Sequence, residues 1–138
     1  MKKNPNSTLA LAGALVRHGR GARARQLLLS LWRRTKVSSL PTPPRLLALA
    51  APRVSLRSRR KAGITYRVPY VLGSTSHFSY ALRWFRAAVR ERTERLLDQR
   101  LGAELFELSQ RKGGTWRRRD ALHQTALLNR GFIRLLRR

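Results

Sequence analysis

The sequence predicts a mainly α fold: a six-helix, bundle-like domain with one two-stranded β-hairpin protruding between the third and fourth helices. Three observations carry this. Apolar residues recur at three- and four-residue steps through most of the chain. That period gives way to alternation once, between Val54 and Leu72. Prolines and glycines fall at the seams between these segments. The length, 138 residues, suits a single domain spanning 1–138.

Residues 5–17 read as the first helix. Ser7 or Thr8 can cap it, and Leu9, Ala12 or Gly13, and Val16 repeat at helical spacing. Gly19 and Gly21 punctuate a turn. The second helix runs from about Ala22 to Thr35, with Ala24, Leu27, Leu28, Leu31 and Trp32 on its apolar stripe. Val37 to Pro44 is a linker carrying Pro41, Pro43 and Pro44. Pro44 suits the first turn of a third helix, where a missing N–H costs nothing. That helix covers Arg45 to Ala51 and ends at Pro52.

The hairpin occupies about 54–72. Val54 and Leu56 alternate with Ser55 and Arg57. After a turn at Arg60-Lys61-Ala62-Gly63, Ile64, Tyr66, Val68, Tyr70 and Leu72 alternate with Thr65, Arg67 and Pro69. This pattern predicts one apolar face and one arginine-bearing face, with Pro69 at an edge or bulge. Three helices follow. Thr75 to Arg92 sets Phe78, Leu82, Phe85 and Val89 on one stripe and Arg83, Arg86 and Arg90 on another. Arg95 to Lys112 turns Leu97, Leu101, Leu105 and Leu108 inward, and Gly113-Gly114 ends it. The last helix, about Trp116 to Leu136, buries some combination of Leu122, Ala126, Leu128 or Asn129, Phe132 and Leu136.

Charge points to a polyanion. The formal net charge is +25, and all six acidic residues lie between Glu91 and Asp120. Residues 1–90 carry 19 basic side chains and no carboxylate. Such a chain repels itself unless a partner neutralises it. Nucleic acid does so with release of counterions; an anionic membrane surface is the other class. Arginine outnumbers lysine 26 to 5, which suits bidentate phosphate pairing and equally fits a GC-rich genome. The absence of cysteine excludes a disulfide framework and a cysteine-type zinc site. No two of His18, His77 and His123 stand at a metal-ligand spacing, and there is neither a nucleophile elbow nor a pair of carboxylates flanking a pocket. No enzyme, metal or cofactor is expected. The apolar run Leu9–Val16 is far too short to span a bilayer. With Met1-Lys2-Lys3 before it the start loosely resembles a signal peptide, but it lacks a small-residue cleavage site.

The run Leu56-Arg57-Ser58-Arg59-Arg60-Lys61-Ala62-Gly63-Ile64-Thr65-Tyr66-Arg67-Val68-Pro69 resembles the hairpin of the universal small-subunit ribosomal protein seven family. That family has an R-S-R-R step, a glycine turn and a T-Y-x-V-P strand in this order. Ala81-Leu82-Arg83-Trp84 and Leu101-Gly102-Ala103-Glu104-Leu105 resemble its next two helices. Lys112-Gly113, Arg117-Arg118-Arg119-Asp120, His123, Ala126, Asn129-Arg130 and Phe132 resemble its last. Asn4 to Leu28, with His18-Gly19-Arg20, resembles its first two. The family's fold has the same order of elements. Arg20-Gly21, Arg67 and the near-absent basic arm before the first helix depart from its pattern.

The resemblance implies a structural constituent of the small ribosomal subunit. It would bind rRNA of the subunit head (the 3′ major domain) and help it assemble beside neighbouring small-subunit proteins. The hairpin would lie near the exit-site tRNA and the mRNA exit path. The departures, the short basic arm among them, suggest a mitochondrial ribosome, with plastid or bacterial cytoplasm as alternatives; in the acid-free first part an arginine-rich transit signature is indistinguishable from RNA-binding composition. No membrane association is expected. Three groups of residues are the RNA-binding candidates. Arg57, Arg59, Arg60, Lys61 and Arg67 belong to the hairpin. Arg17, Arg20 and Arg23 flank the glycine turn, where a helix start suits phosphate. Arg90, Arg92, Arg95, Arg117, Arg118 and Arg119 lie nearest the carboxylates Glu91, Glu94 and Asp120, which offer competing partners. Trp32, Phe78, Phe85 and Phe132 read as core, Tyr66 and Tyr70 as core first, and Trp116 as the best candidate for stacking on a base. A helix-turn-helix or histone-like DNA protein and a cationic membrane amphipath are the competing classes.

Overall fold

The computed structural model describes Gly13, residues 21–34 and residues 43–136. The expected first helix lies outside the described residues except for Gly13, which is helical. Arg17, Arg20 and the linker up to residue 42 also lie outside them.

The described chain is mainly helical. In order it forms α1 (Gly21–Arg34), α2 (Pro43–Leu49), β1 (Val54–Lys61), β2 (Ile64–Val71), α3 (Ser74–Glu91), α4 (Leu97–Ser109), α5 (Gly113–Leu128) and a 3-10 helix (Arg130–Leu136). The hairpin stands between the third and fourth of the expected helices, as the period change predicts. Pro43 and Pro44 open α2, where neither needs to donate, and the helix ends before Pro52.

The core gathers Leu46, Leu47 and Ala50 of the α2 region, Ala81, Phe85 and Val89 of α3, and Leu101 and Leu108 of α4. Leu28, Phe78, Leu82, Leu105 and Trp116 pack around it. The α3 stripe is as expected. On α4 the stripe is altered: Leu97 is half exposed at the helix start, and the fourth inward position belongs to Glu104, which is 1 % exposed.

Two boundaries differ from the expectation. Gly113-Gly114 does not end α4. The helix ends at Ser109, and Arg111 takes the left-handed conformation (φ 57°) that usually falls to glycine. The Arg111 N–H donates to Leu108 O at 3.0 Å and the Lys112 N–H to Glu107 O at 2.8 Å, the two bonds of a Schellman motif. The glycines instead begin α5. Gly113 has φ +90°, and a Cβ on Gly114 would stand 2.9 Å from Ala88 Cβ, so α5 approaches α3 on small residues.

The second difference is at the C-terminal end. No continuous helix runs to Leu136. Asn129 closes α5 by donating both its N–H and its Nδ2 to Thr125 O, and the chain tightens to 3-10. The change of period discards the expected stripe: Ala126 is buried, but Leu128 is 85 % exposed. Phe132 swings onto β2, its ring 5.1 Å from that of Tyr66.

Candidate nucleic-acid interface

The hairpin turn has two residues, Ala62 (φ 49°) and Gly63 (φ 80°). Positive φ at both positions is the type I′ geometry, whose twist matches that of the strands. The ladder pairs Lys61 with Ile64, Arg59 with Tyr66, Arg57 with Val68 and Val54 with Val71. At its base Leu72 N–H donates to Arg53 O, Ser55 Oγ to the Tyr80 hydroxyl at 3.3 Å, and His77 Nε2 to Leu72 O at 2.8 Å. The body therefore holds the base, and the outer part extends away from it.

This register corrects the expected faces. A loop with an even number of residues pairs even-numbered positions of β1 with odd-numbered positions of β2. Val54 and Leu56 thus share a face with Pro69 and Val71. Arg57, Arg59 and Lys61 share the other with Val68, Tyr66 and Ile64. The inner face is the one that bears Ser55, Tyr66 and Val68 and meets the 3-10 helix. The outer face bears Ser58, Arg60, Thr65 and Arg67. The five basic side chains are therefore split, with Arg57, Arg59 and Lys61 inner and Arg60 and Arg67 outer. All five are exposed.

The fold adds two arginines that are not among the candidates named from the sequence. Arg130 and Arg134 are exposed on the 3-10 helix packed against β2. A last helix continued to Leu136 would carry them away from the hairpin; only the Asn129 break, a weak signal, could have shown their placement. They bracket Phe132 in the chain, and Arg59 is the strand partner of Tyr66, with Arg57 one rung further along the same face.

The other candidates divide. Arg23 on α1 is exposed, as are Arg90, Arg95 and Arg117, although Arg117 Nε also reaches Gly113 O at 3.4 Å. Arg92 is engaged inside the protein. It meets Glu107 as a fork, Nη2 to Oε1 at 2.8 Å and Nη1 to Oε2 at 3.0 Å. It also donates Nη1 to Glu104 at 2.9 Å and Nε to Glu94 at 3.0 Å. Glu104 completes the cluster, its Oε1 accepting from Thr115 N–H at 2.9 Å and Thr115 Oγ1 at 2.7 Å. That carboxylate caps the start of α5, which has no cap of its own. The hydrogen bond from Arg92 holds the Glu107 carboxyl below its ordinary range, and Glu107 in turn raises Arg92. Glu94 is lowered as well, first by its own backbone N–H. Such a guanidinium has little left to offer a phosphate; it ties α3, α4 and α5 together.

Arg118 is likewise held, bonding to Glu91 and, at 3.3 Å, to Trp84 O. The guanidinium of Arg119 lies 4.3 Å from the Trp116 ring centroid. That contact, with the packing of Trp116 against the core, takes the tryptophan out of the role of an open stacking platform. Arg119 Nε and His123 Nε2 are buried without a hydrogen-bond partner, and burial, then Arg119, lowers the His123 pKa. Among the described residues no cluster of His, Asp or Glu could hold a metal ion, and no helix is long and apolar enough to cross a membrane.

The sequence that builds this basic hairpin on a helical body matches a known family. The family described as Ribosomal protein S7p/S5e matches residues 11–130. The chain belongs to the S7p/S5e family. Its relatives include the small ribosomal subunit protein uS7 of Afipia carboxidovorans, 37% identical over 99 residues, or 72% of this chain and 64% of the relative. The uS7 of Bradyrhizobium diazoefficiens is 36% identical over the same shares. That of Laribacter hongkongensis is 37% identical over 86 residues, 62% of this chain and 55% of the relative. The chain thus spans less than two thirds of the length of these S7p/S5e relatives. The region matched by the family includes the whole hairpin and the Arg92–Glu104–Thr115 cluster.

Proposed function

We propose that this chain is a structural, non-enzymatic constituent of a small ribosomal subunit, acting as one domain that binds rRNA of the subunit head and helps it assemble. The observation that carries this reading is the acid-free hairpin. Its five exposed basic residues have no carboxylate near them in sequence, in a member of the S7p/S5e family whose relatives are named as small-subunit proteins. A hairpin of this kind suits A-form RNA, whose shape and phosphates are easier to reach than its base edges. Arg57, Arg59, Arg60, Lys61 and Arg67 form the centre of the interface, with Arg130 and Arg134 beside them. Arg17, Arg20, Arg23, Arg90, Arg95 and Arg117 extend it, while Arg92, Arg118 and Arg119 act mainly inside the fold. In the assembled subunit the hairpin lies by the exit-site tRNA and the mRNA exit path, next to other small-subunit proteins. The compartment is a mitochondrial ribosome, a reading that rests on the departures at Arg20-Gly21 and Arg67 from the family's pattern, with a plastid or the bacterial cytoplasm as the alternative.

Competition binding tests the function. A transcript of the small-subunit head rRNA should outcompete duplex DNA of equal length at moderate salt, with a steep salt slope of about 0.7–0.9 per phosphate neutralised. Equal affinity for the two polymers would refute the ribosomal reading in favour of a general nucleic-acid binder.

A further inference from the structure

We infer that the hairpin binds RNA on both of its faces, as a ribbon inserted between two separate stretches of phosphate backbone. The outer-face quartet of Ser58, Arg60, Thr65 and Arg67 is the site for the second stretch. The inference deepens the rRNA-binding reading and rests on it.

The register brings the quartet together. Ser58 pairs with Arg67 and Arg60 with Thr65, so the four side chains occupy two successive rungs of one face. Direct neighbours on such rungs stand about 4.5–5.5 Å apart and diagonal ones about 7–8 Å. Two guanidinium forks and two hydroxyls therefore form one compact group. All four are exposed, and all can donate to phosphate oxygens. Among the described residues neither Arg60 nor Arg67 makes an ion pair, and no carboxylate precedes Glu91 in the chain.

The inner face offers a different setting. Arg57 and Arg59 flank Tyr66, and the 3-10 helix with Arg130 and Arg134 packs on the neighbouring strand. The two faces point in opposite directions, so one backbone lying flat against either cannot reach the other. A hairpin meant to lie on a single RNA surface would gain nothing from placing Arg60 and Arg67 on the side turned away.

The chain has no cysteine, so Ser58→Cys and Ile64→Cys each create a single attachment point, on the outer and inner face respectively. A short photo-crosslinker at each, in the full chain bound to the head rRNA transcript, should mark two non-contiguous RNA segments. In parallel, R60Q/R67Q and R57Q/R59Q should each weaken binding on the order of tenfold. Each should also lower the salt slope by about 0.7–0.9 for every phosphate left without its arginine, and the quadruple variant should show both reductions. All four arginines are exposed, so circular dichroism should be unchanged. Wild-type affinity for R60Q/R67Q, or crosslinks from both positions to one segment, overturns the two-face arrangement. Weakening confined to R57Q/R59Q does so too, yet leaves the rRNA reading standing. Failure of the unaltered chain to prefer the rRNA removes that reading itself.

Discussion

Glu104 shows how one side chain can set the geometry of three helices. It is a buried carboxylate with both oxygens in use, one by Arg92 and one by the backbone and hydroxyl of Thr115. Burying such a charge is tolerated only because its partners are complete. Glu104→Gln should therefore cost roughly 3 kcal/mol, because its amide keeps one acceptor for two donor sites and would set N–H against N–H at Arg92 or, flipped, at Thr115. Urea denaturation measures this; a loss under about 1 kcal/mol would mean that Glu107 and Glu94 hold Arg92 unaided. The residue was legible in principle, since it stands three after Leu101 and four before Leu108, on the apolar stripe. A glutamate on such a stripe is ordinarily solvated, however, and nothing local in the sequence reveals that Arg92 and Thr115 converge on it. The same convergence explains why Arg92 reads as a phosphate ligand from charge alone and as a tie between helices from geometry.

At the scale of elements, periodicity located the segments and missed some of their ends. The helix boundaries that failed depend on single backbone conformations. Arg111 adopts the left-handed conformation at the end of α4, a position where an L side chain is strained. Arg111→Gly should stabilise the protein by about 0.5–1 kcal/mol, seen as a higher urea midpoint at unchanged slope. Destabilisation would mean that the Arg111 side chain contributes more than its backbone costs. Gly113 and Gly114, expected as a terminator, serve close approach instead, and no local pattern separates those two uses of glycine. The hairpin strands and turn lay within the predicted span, and the alternation of polar and apolar residues was real. What alternation could not supply was the relation between the two strands, which depends on the length of the turn. The 3-10 segment was illegible for a similar reason: Phe132 fits a helical stripe in sequence, whereas Tyr66, far away in the chain, decides where it goes.

For the whole molecule, charge was the most legible property, and it governs behaviour before any partner binds. With a formal net charge of +25 the free chain works against its own repulsion. Raising salt from low to moderate levels should therefore raise its melting temperature, since exposed like charges are screened within about one Debye length. The Arg92 cluster is too enclosed to lose much in exchange. A melting temperature that falls with salt would show that ion pairs outweigh repulsion. Added head rRNA should stabilise the chain further, by mass action on the folded state alone.

The two-residue turn at Ala62-Gly63 also limits how this protein can change over evolution. Inserting or deleting one residue between Gly63 and Thr65, with β1 and the two-residue turn kept, would reverse the facing of every residue in β2. Tyr66 would leave Phe132, and Arg67 would turn toward the 3-10 helix. A single-residue change is therefore tolerable only where the turn absorbs it, as a three-residue loop with a bulge does, so the loop behaves as a phase setting rather than a spacer. Among functional variants selected from a library of β2 insertions, single-residue insertions outside the turn should be depleted relative to insertions within it.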